Sequence, residues 1–477
     1  MSTEQSAIAW HRFGLGARPG DLSTPAREPI AALLEDVSSA LAPAELAGLP
    51  GSPVLFADFQ KQQAERKLAK AAKPVMGPQP DASNLTSMRL AGPAVAATDL
   101  GTSAQAGKPG GAVRDAVLDE IEARLAVARK APIGFGERLT QFWANHFTVS
   151  GTSQGVHILC GAFEREAIRP HLTGSFIDML QAAESHPAML LYLNNERSIG
   201  PNSPAGLKQE KGLNENLGRE ILELHTLGVD GGYTQADVTS FANAITGWSV
   251  VTGKNAEGSP GSHIFRPRTH EPGAKLVLGR GYAQEGRAQG EAVLADLALH
   301  PATAKHIATK LVRHFIADDP PPAAVAAVAA AYQKSGGELM PVYEALLRTP
   351  AALAKPLVKL RPPSDYAIAA VRALEVDLDA KRFMRAMALL GQTPFKAPSP
   401  QGWSDDSKAW LAPDSIAKRL ELASLLSQSA RAEKPLERAK GVLGPLISEE
   451  TSSTIDRAES GAQALALLLM SPEFQRR

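Results

Sequence analysis

The chain has 477 residues, 44% hydrophobic and 21% charged, and its 50 basic side chains are balanced by 50 acidic ones. A balance of that kind excludes a bulk electrostatic pull toward nucleic acid or acidic membrane, and the length allows two or three domains. A lone cysteine, Cys160, excludes an intramolecular disulfide, and its apolar setting (HILCGAF) reads as a small buried hydrophobe rather than a reactive thiol.

From the N-terminus, no basic segment leads into an apolar core, so no signal peptide is read. Taken alone, this points to the cytoplasm. Alanine and leucine dominate and β-branched runs are scarce, which predicts helices over 27–41 and 54–72. Residues 73–111 shift to Pro, Gly, Ser, Thr and Ala without apolar periodicity and read as a flexible insertion. Helical pattern resumes over 113–130 and 136–149, then over 161–170, 174–194, 213–227 and 234–246. The last has a capping box at Thr234 and Asp237 and a C-terminal stop at Gly247. Residues 249–282 are irregular, with a short strand at Lys275–Leu278 that could pair with His263–Phe265. Helices return at 301–316 and continue through 323–475. The longest apolar run, Ala323 to Tyr332, is too short to span a bilayer, so no transmembrane segment is expected.

The expected fold is mainly α: a multi-helix globular array with a short irregular, β-containing excursion near 249–282. The expected division is an N-terminal helical segment (1–72), the insertion (73–111), a central helical region carrying the candidate site (112–320) and a C-terminal helical region (321–477). Every histidine lies before residue 320, which argues against the last region supplying imidazole ligands or bases.

The densest chemistry is LNENLGREILELHTL, residues 213–227. Six of the ten residues from Asn214 to Glu223 are Asn, Glu or Arg. At about 100° per residue, Asn216, Glu220 and Glu223 share a narrow arc with Arg219 at its edge. Surface pairing of Glu215, Arg219 and Glu223 at i,i+4 explains part of this pattern. A working site would use Glu220 and Glu223 as general base or metal ligands and Arg219 as an anion holder. His225 falls almost opposite these acids and would join them only if the helix ended or distorted, so it reads as a packing or capping residue. On 139–147 (LTQFWANHF), His146 shares a face with Leu139, Phe142, Trp143 and Phe147, so it points at the core, with Asn145 beside it. His146 is either a core histidine bonded to a backbone carbonyl or a cavity group meeting a carboxylate. His270, in the loop HIFRPRTHEPGAK, is a further substrate-binding candidate. His306 and Lys310 fall on the polar face of 301–316, read as a solvated basic face.

The blocks RFGLGARPGD, ERLTQFWANHFTVS, NENLGREILELHTLGVDGGYTQADVTSFANAITGW, HPATAKHIATKLVRHFIADDPPP, PSPQGWSDDSKAW and SPEF run from residue 12 to residue 474. In them the chain resembles a bacterial family catalogued as "domain of unknown function 1800". It carries Leu213 where that family usually has a proline. The resemblance implies no reaction. It does imply a partner, because family members are often encoded beside sulfatase- or phosphatase-like proteins and are often exported. Export with a signal-bearing partner is therefore one expectation. Two functions remain open: a hydrolase with a carboxylate, arginine and histidine pocket (Glu220, Glu223, Arg219, His146) that could take a divalent metal, or a non-catalytic partner of the co-encoded protein.

Overall fold

The computed structural model describes residues 3–23, 28–71, 111–208, 212–252, 258–431 and 433–477. Apart from Gly111, the 73–111 segment expected to be a flexible insertion lies outside the described residues. The fold is mainly α, with two two-stranded antiparallel sheets as its β content among those residues.

The N-terminal part forms α1 (Thr3–Arg12), α2 (Pro29–Ser39) and α3 (Ser52–Ala71), followed by α4 (Gly111–Lys130) and α5 (Phe135–His146). Helix α5 is the centre of the molecule because both of its faces are buried. One face carries Leu139, Phe142, Trp143 and His146; the other carries Glu137 and Arg138. Its start is set from outside the helix. Asp36 of α2 accepts bonds from the backbone N–H groups of Ile133, Gly134 and Gly136 at 3.1, 3.2 and 3.0 Å. A carboxylate there satisfies donors that have no partner within the helix and complements the positive end of its dipole. Gly134 has φ +87°, and a Cβ on it would meet the Leu15 side chain at 2.5 Å, so only glycine fits this approach.

Two apolar cores result. The larger spans residues 7–352 and includes the Phe142, Trp143 and Phe147 rings of the α5 region. The second joins one face of α4 (Val117, Ile121, Leu125) to the C-terminal helices from Tyr366 to Phe474. The helices Pro322–Ser335 and Leu339–Arg348 pack into the first core.

The predicted 174–194 helix is two helices, Phe176–Ser185 and Pro187–Tyr192, because Pro187 forces His186 into extended backbone. Thr234 and Asp237 do form a capping box, and Gly247 lies just beyond that helix with φ +87°. The strands pair differently from expectation. Strand β2 (His263–Phe265) pairs with β1 (Trp248–Val250), and β3 (Lys275–Val277) pairs with β4 (Arg280–Tyr282). Leu278 and Gly279 both have positive φ, the conformation of a tight two-residue hairpin turn, so β3 folds onto its own continuation. No helix among the described residues is long and apolar enough to cross a membrane.

Candidate functional site

The polar segment folds as a short α-helix, Asn216–Glu220, that widens into a π turn over Ile221–His225. Its charged groups diverge. Asn216 is exposed. Arg219 bonds Glu215 at 3.1 Å and Gln235 at 2.9 Å in a half-exposed surface network that Thr239 completes. Glu220 and Glu223 are half-buried, and Glu223 pairs with the Tyr233 hydroxyl. Burial raises the Glu220 carboxyl above its ordinary range; Glu223 and Glu184 add to the shift, and His225 and Arg219 oppose it. His225 packs in the interior, opposite Glu220 and Glu223, where Nδ1 lies 2.7 Å from Oε1 of fully buried Glu184 in poor hydrogen-bond alignment.

His146 is buried, and its Nε2 lies 3.0 Å from the His225 carbonyl. Only an N–H can bond a carbonyl oxygen, so His146 donates. His306 makes the same bond to the Leu224 carbonyl at 3.0 Å. Two imidazoles thus satisfy consecutive carbonyls at the end of the π turn, and the face holding His306 is not simply solvated. His270 is buried elsewhere, with Nδ1 on the Thr246 carbonyl at 2.9 Å. No hydrogen bond or ion pair among the described residues joins the side chains of His146, Arg219, Glu220, Glu223 and His270. No group of three or more His, Cys, Asp or Glu among those residues is placed to hold a metal ion.

These buried imidazoles give the fold a definite acid response. Burial lowers His306, His157 and His263 from 6.5 to about 4, and His11 to about 3. The unfolded chain takes up these protons as pH falls through 6.5; the fold refuses them until about 4. Stability is therefore complete above 6.5, drops between there and about 4, and levels off with respect to His306 below that. Urea midpoints across this range should fall, and His306→Asn should flatten the slope. A midpoint constant over that interval would contradict this.

Asn145 leads to a different place. Its side-chain amide clamps the backbone of Trp403, accepting from Trp403 N at 2.7 Å and donating to Trp403 O at 2.9 Å. The clamp seats the Pro398–Asp406 strap over a cavity of about 190 Å³. Its lining includes apolar side chains, Ile121, Leu125, Ile368, Phe383 and Phe395. It also includes Glu137, Glu164, Asp365, Asp405 and His314. The volume is more than ten times the roughly 10–15 Å³ that one water needs, so the space suits an organic molecule.

The electrostatics single out one acid. Glu137 takes a two-pronged bond from Arg169 at 2.6 and 2.8 Å. Glu164 bonds Arg169 at 2.9 Å and Arg124 at 2.6 Å. Asp365 meets both Arg138 and Arg477. Asp405 has no guanidinium; its Oδ1 lies 2.6 Å from His314 Nδ1. On the other side of that ring, Arg138 lies 3.0 Å from Nε2. A guanidinium only donates, so Nε2 accepts and the ring proton is on Nδ1, donated to Asp405. Burial lowers the His314 pKa, and the ring is neutral. Burial works to raise the Asp405 carboxyl, but His314, Lys310 and Lys359 overcome it and hold it below its ordinary range. Asp405 is thus an ionised carboxylate with a neutral ring on one oxygen and, among the described residues, no hydrogen bond on Oδ2. Cys160 lines the same cavity as a buried thiol that burial pushes up to about 12, in keeping with an inert hydrophobe.

Glu137, Arg138, His314, Asp365 and Asp405 were not singled out from the sequence. The signal available was position: Asn145, His314 and Asp405 lie in three of the blocks carrying the family resemblance, ERLTQFWANHFTVS, HPATAKHIATKLVRHFIADDPPP and PSPQGWSDDSKAW. The C-terminal part supplies no imidazole, but it does supply the open carboxylate.

No curated protein and no solved structure matches the chain. The family described as "Protein of unknown function (DUF1800)" matches residues 8–476, the span in which these blocks and the cavity lie, and the chain belongs to that family.

Proposed function

We propose that the protein binds a small organic molecule in the Asp405 cavity, an apolar body against Ile121, Ile368 and Phe395 and a donor group, best an ammonium, on Asp405 Oδ2. The observation that carries this reading is the bonding pattern: of the four acids lining the cavity, Asp405 alone has no arginine bonded to it, its hydrogen-bond partner being the neutral His314 ring while Lys310 and Lys359 act on it through space. An ionised acid in a largely apolar hollow favours a cationic guest over an anionic one. A carboxylate held below its ordinary range is a weak base, so Asp405 acts in this reading as a counter-ion for the guest, oriented by the Arg138–His314 relay, and not as the base of a hydrolysis.

The test uses the neutral fluorophore N-phenyl-1-naphthylamine as reporter, displaced by phenethylamine or by phenylacetate. Phenethylamine should displace it about tenfold more strongly than phenylacetate, an expectation for one charge-assisted bond. Asp405→Asn should erase that preference while leaving reporter binding in place. Equal displacement by the two, or a preference that survives Asp405→Asn, would refute the assignment.

A second reading is favoured by one observation. Leu411, Ile416 and Leu420 are 49%, 37% and 53% exposed, just before the helix Pro413–Ser429 and along its first half. A surface of that kind suits a docking partner, the sulfatase- or phosphatase-like protein implied by the resemblance. Co-elution with that protein, lost in Leu420→Glu, is its test.

A further inference from the structure

The helix Pro301–Phe315 carries His306, Lys310, Arg313 and His314 at three- and four-residue spacing, so the four share one side. Two of them anchor the helix to different segments. His306 meets the Leu224 carbonyl at the π turn, at 3.0 Å, and His314 meets Asp405 on the strap, at 2.6 Å. Lys310 stands one turn from each, between the two anchors. From α5, His146 reaches the same region, its ring 6.2 Å from that of His306, and the charge of Lys310 acts on both rings.

Neither segment gives the lysine an acceptor. Lys310 is half-buried, yet its ammonium makes no hydrogen bond and no ion pair among the described residues. The more deeply buried lysines are built differently. Lys275 donates to the carbonyls of Glu271, Pro272 and Gly273, and Lys359 bonds Asp318 and the Asp405 carbonyl. An ammonium has three donors and is strongly hydrated in water, so one that is half-buried without an acceptor holds its proton poorly. Burial lowers Lys310 from 10.5 to about 8; Asp405 opposes the shift and Arg313 adds to it. At pH 7 about a tenth of it is neutral, against less than about a thousandth of an ordinary lysine.

We propose that Lys310 is a nucleophilic amine that condenses with small aldehydes. The neutral nitrogen adds to the carbonyl carbon. The C–O bond of the resulting carbinolamine then breaks, the oxygen leaves as water with both amine protons, and a C=N bond remains. The imine takes one proton from solvent, and Asp405 balances its positive charge as it balances the ammonium. Desolvation and a neighbouring cation are the two devices that make a lysine nucleophilic, and Lys310 has both. Asp405 selects the class of electrophile. An iminium keeps a positive charge beside that carboxylate, whereas an amide formed from an acyl donor would remove it. The reactivity belongs to Lys310 itself and does not depend on a guest in the Asp405 cavity.

Reductive trapping on the full chain tests the proposal. The protein is treated with propionaldehyde and sodium cyanoborohydride at several pH values from about 6 to about 10, and alkylation of each lysine is followed by peptide mass spectrometry. Lys305, exposed on the same helix, is the internal reference. At pH 7 Lys310 should react at least about tenfold faster than Lys305, and the ratio should fall toward one as pH rises to about 10 and both amines lose their protons. Arg313→Gln, at an exposed position, removes the opposing cation and should reduce the ratio at pH 7 severalfold. Equal reaction of Lys310 and Lys305 at pH 7 overturns the proposal. So does a ratio that does not change with pH, or a preference for Lys310 shown by acetic anhydride and absent with the aldehyde.

Discussion

Gly402→Ala should unseat the strap and abolish reporter binding in the Asp405 cavity. Gly402 has φ +84°, and a Cβ there would lie 2.6 Å from the Asn145 carbonyl, the Asn145 Oδ1 and the Thr148 hydroxyl at once. Two of those atoms are backbone or hydrogen-bonded amide, so they cannot yield cheaply. Left-handed strain and overpacking each cost about 1–3 kcal/mol, so a loss of roughly 3 kcal/mol is expected. The Asn145–Trp403 clamp breaks first, and Asp405 moves with Trp403. Thermal melting with reporter titration checks both parts. A variant that melts like the parent and still binds would show that the strap is not held as described.

Arg169→Met is the second large effect. Arg169 is 2% exposed and lies between Glu137 and Glu164, also nearly buried. It also bonds the Ala40 carbonyl at 3.0 Å, tying the π turn at Glu164–Ile168 to the end of α2. Removing the guanidinium leaves Glu137 without a cation in the core wall, while Glu164 keeps Arg124, and this costs about 3–5 kcal/mol. Neutralising the stranded acid, with Glu137→Gln added, should recover most of that loss, because buried ion pairs return little net stability over neutral packing. Denaturant midpoints of the single and double variants decide the point. A single variant within about 1 kcal/mol of the parent would mean that the carboxylates are not buried as charges.

Local pattern revealed much of the fold and little of the candidate site, for a physical reason. Helices α2 to α5 and the Thr234 capping box follow from periodicity and cap chemistry acting over a few residues. The 213–227 segment was visible as a polar helix, but the π turn was not. One extra residue in a turn shifts everything after it, yet His225 keeps the packing position expected of it, opposite the acids and against Glu184. The hairpin at 275–282 was missed because Leu278 takes positive φ, which a leucine gives no hint of. The cavity depends on contacts far apart in sequence: His314 to Asp405 across 91 residues and Asn145 to Trp403 across 258. Period and spacing carry no information at that range. Glu137 and Arg138 were not singled out because local spacing does not show that α5 is buried on both faces.

Around the Asp405 cavity nearly every acid has its arginine, and the exception marks the proposed guest's position.

The most direct measurement is a crystal structure of the protein soaked with phenethylamine. The account places the ammonium within hydrogen-bond distance, about 3 Å, of Asp405 Oδ2, with the ring against Phe395 and Ile368. Density for the amine elsewhere, or an Asp405 Oδ2 turned away onto a protein cation with the cavity empty, would contradict it.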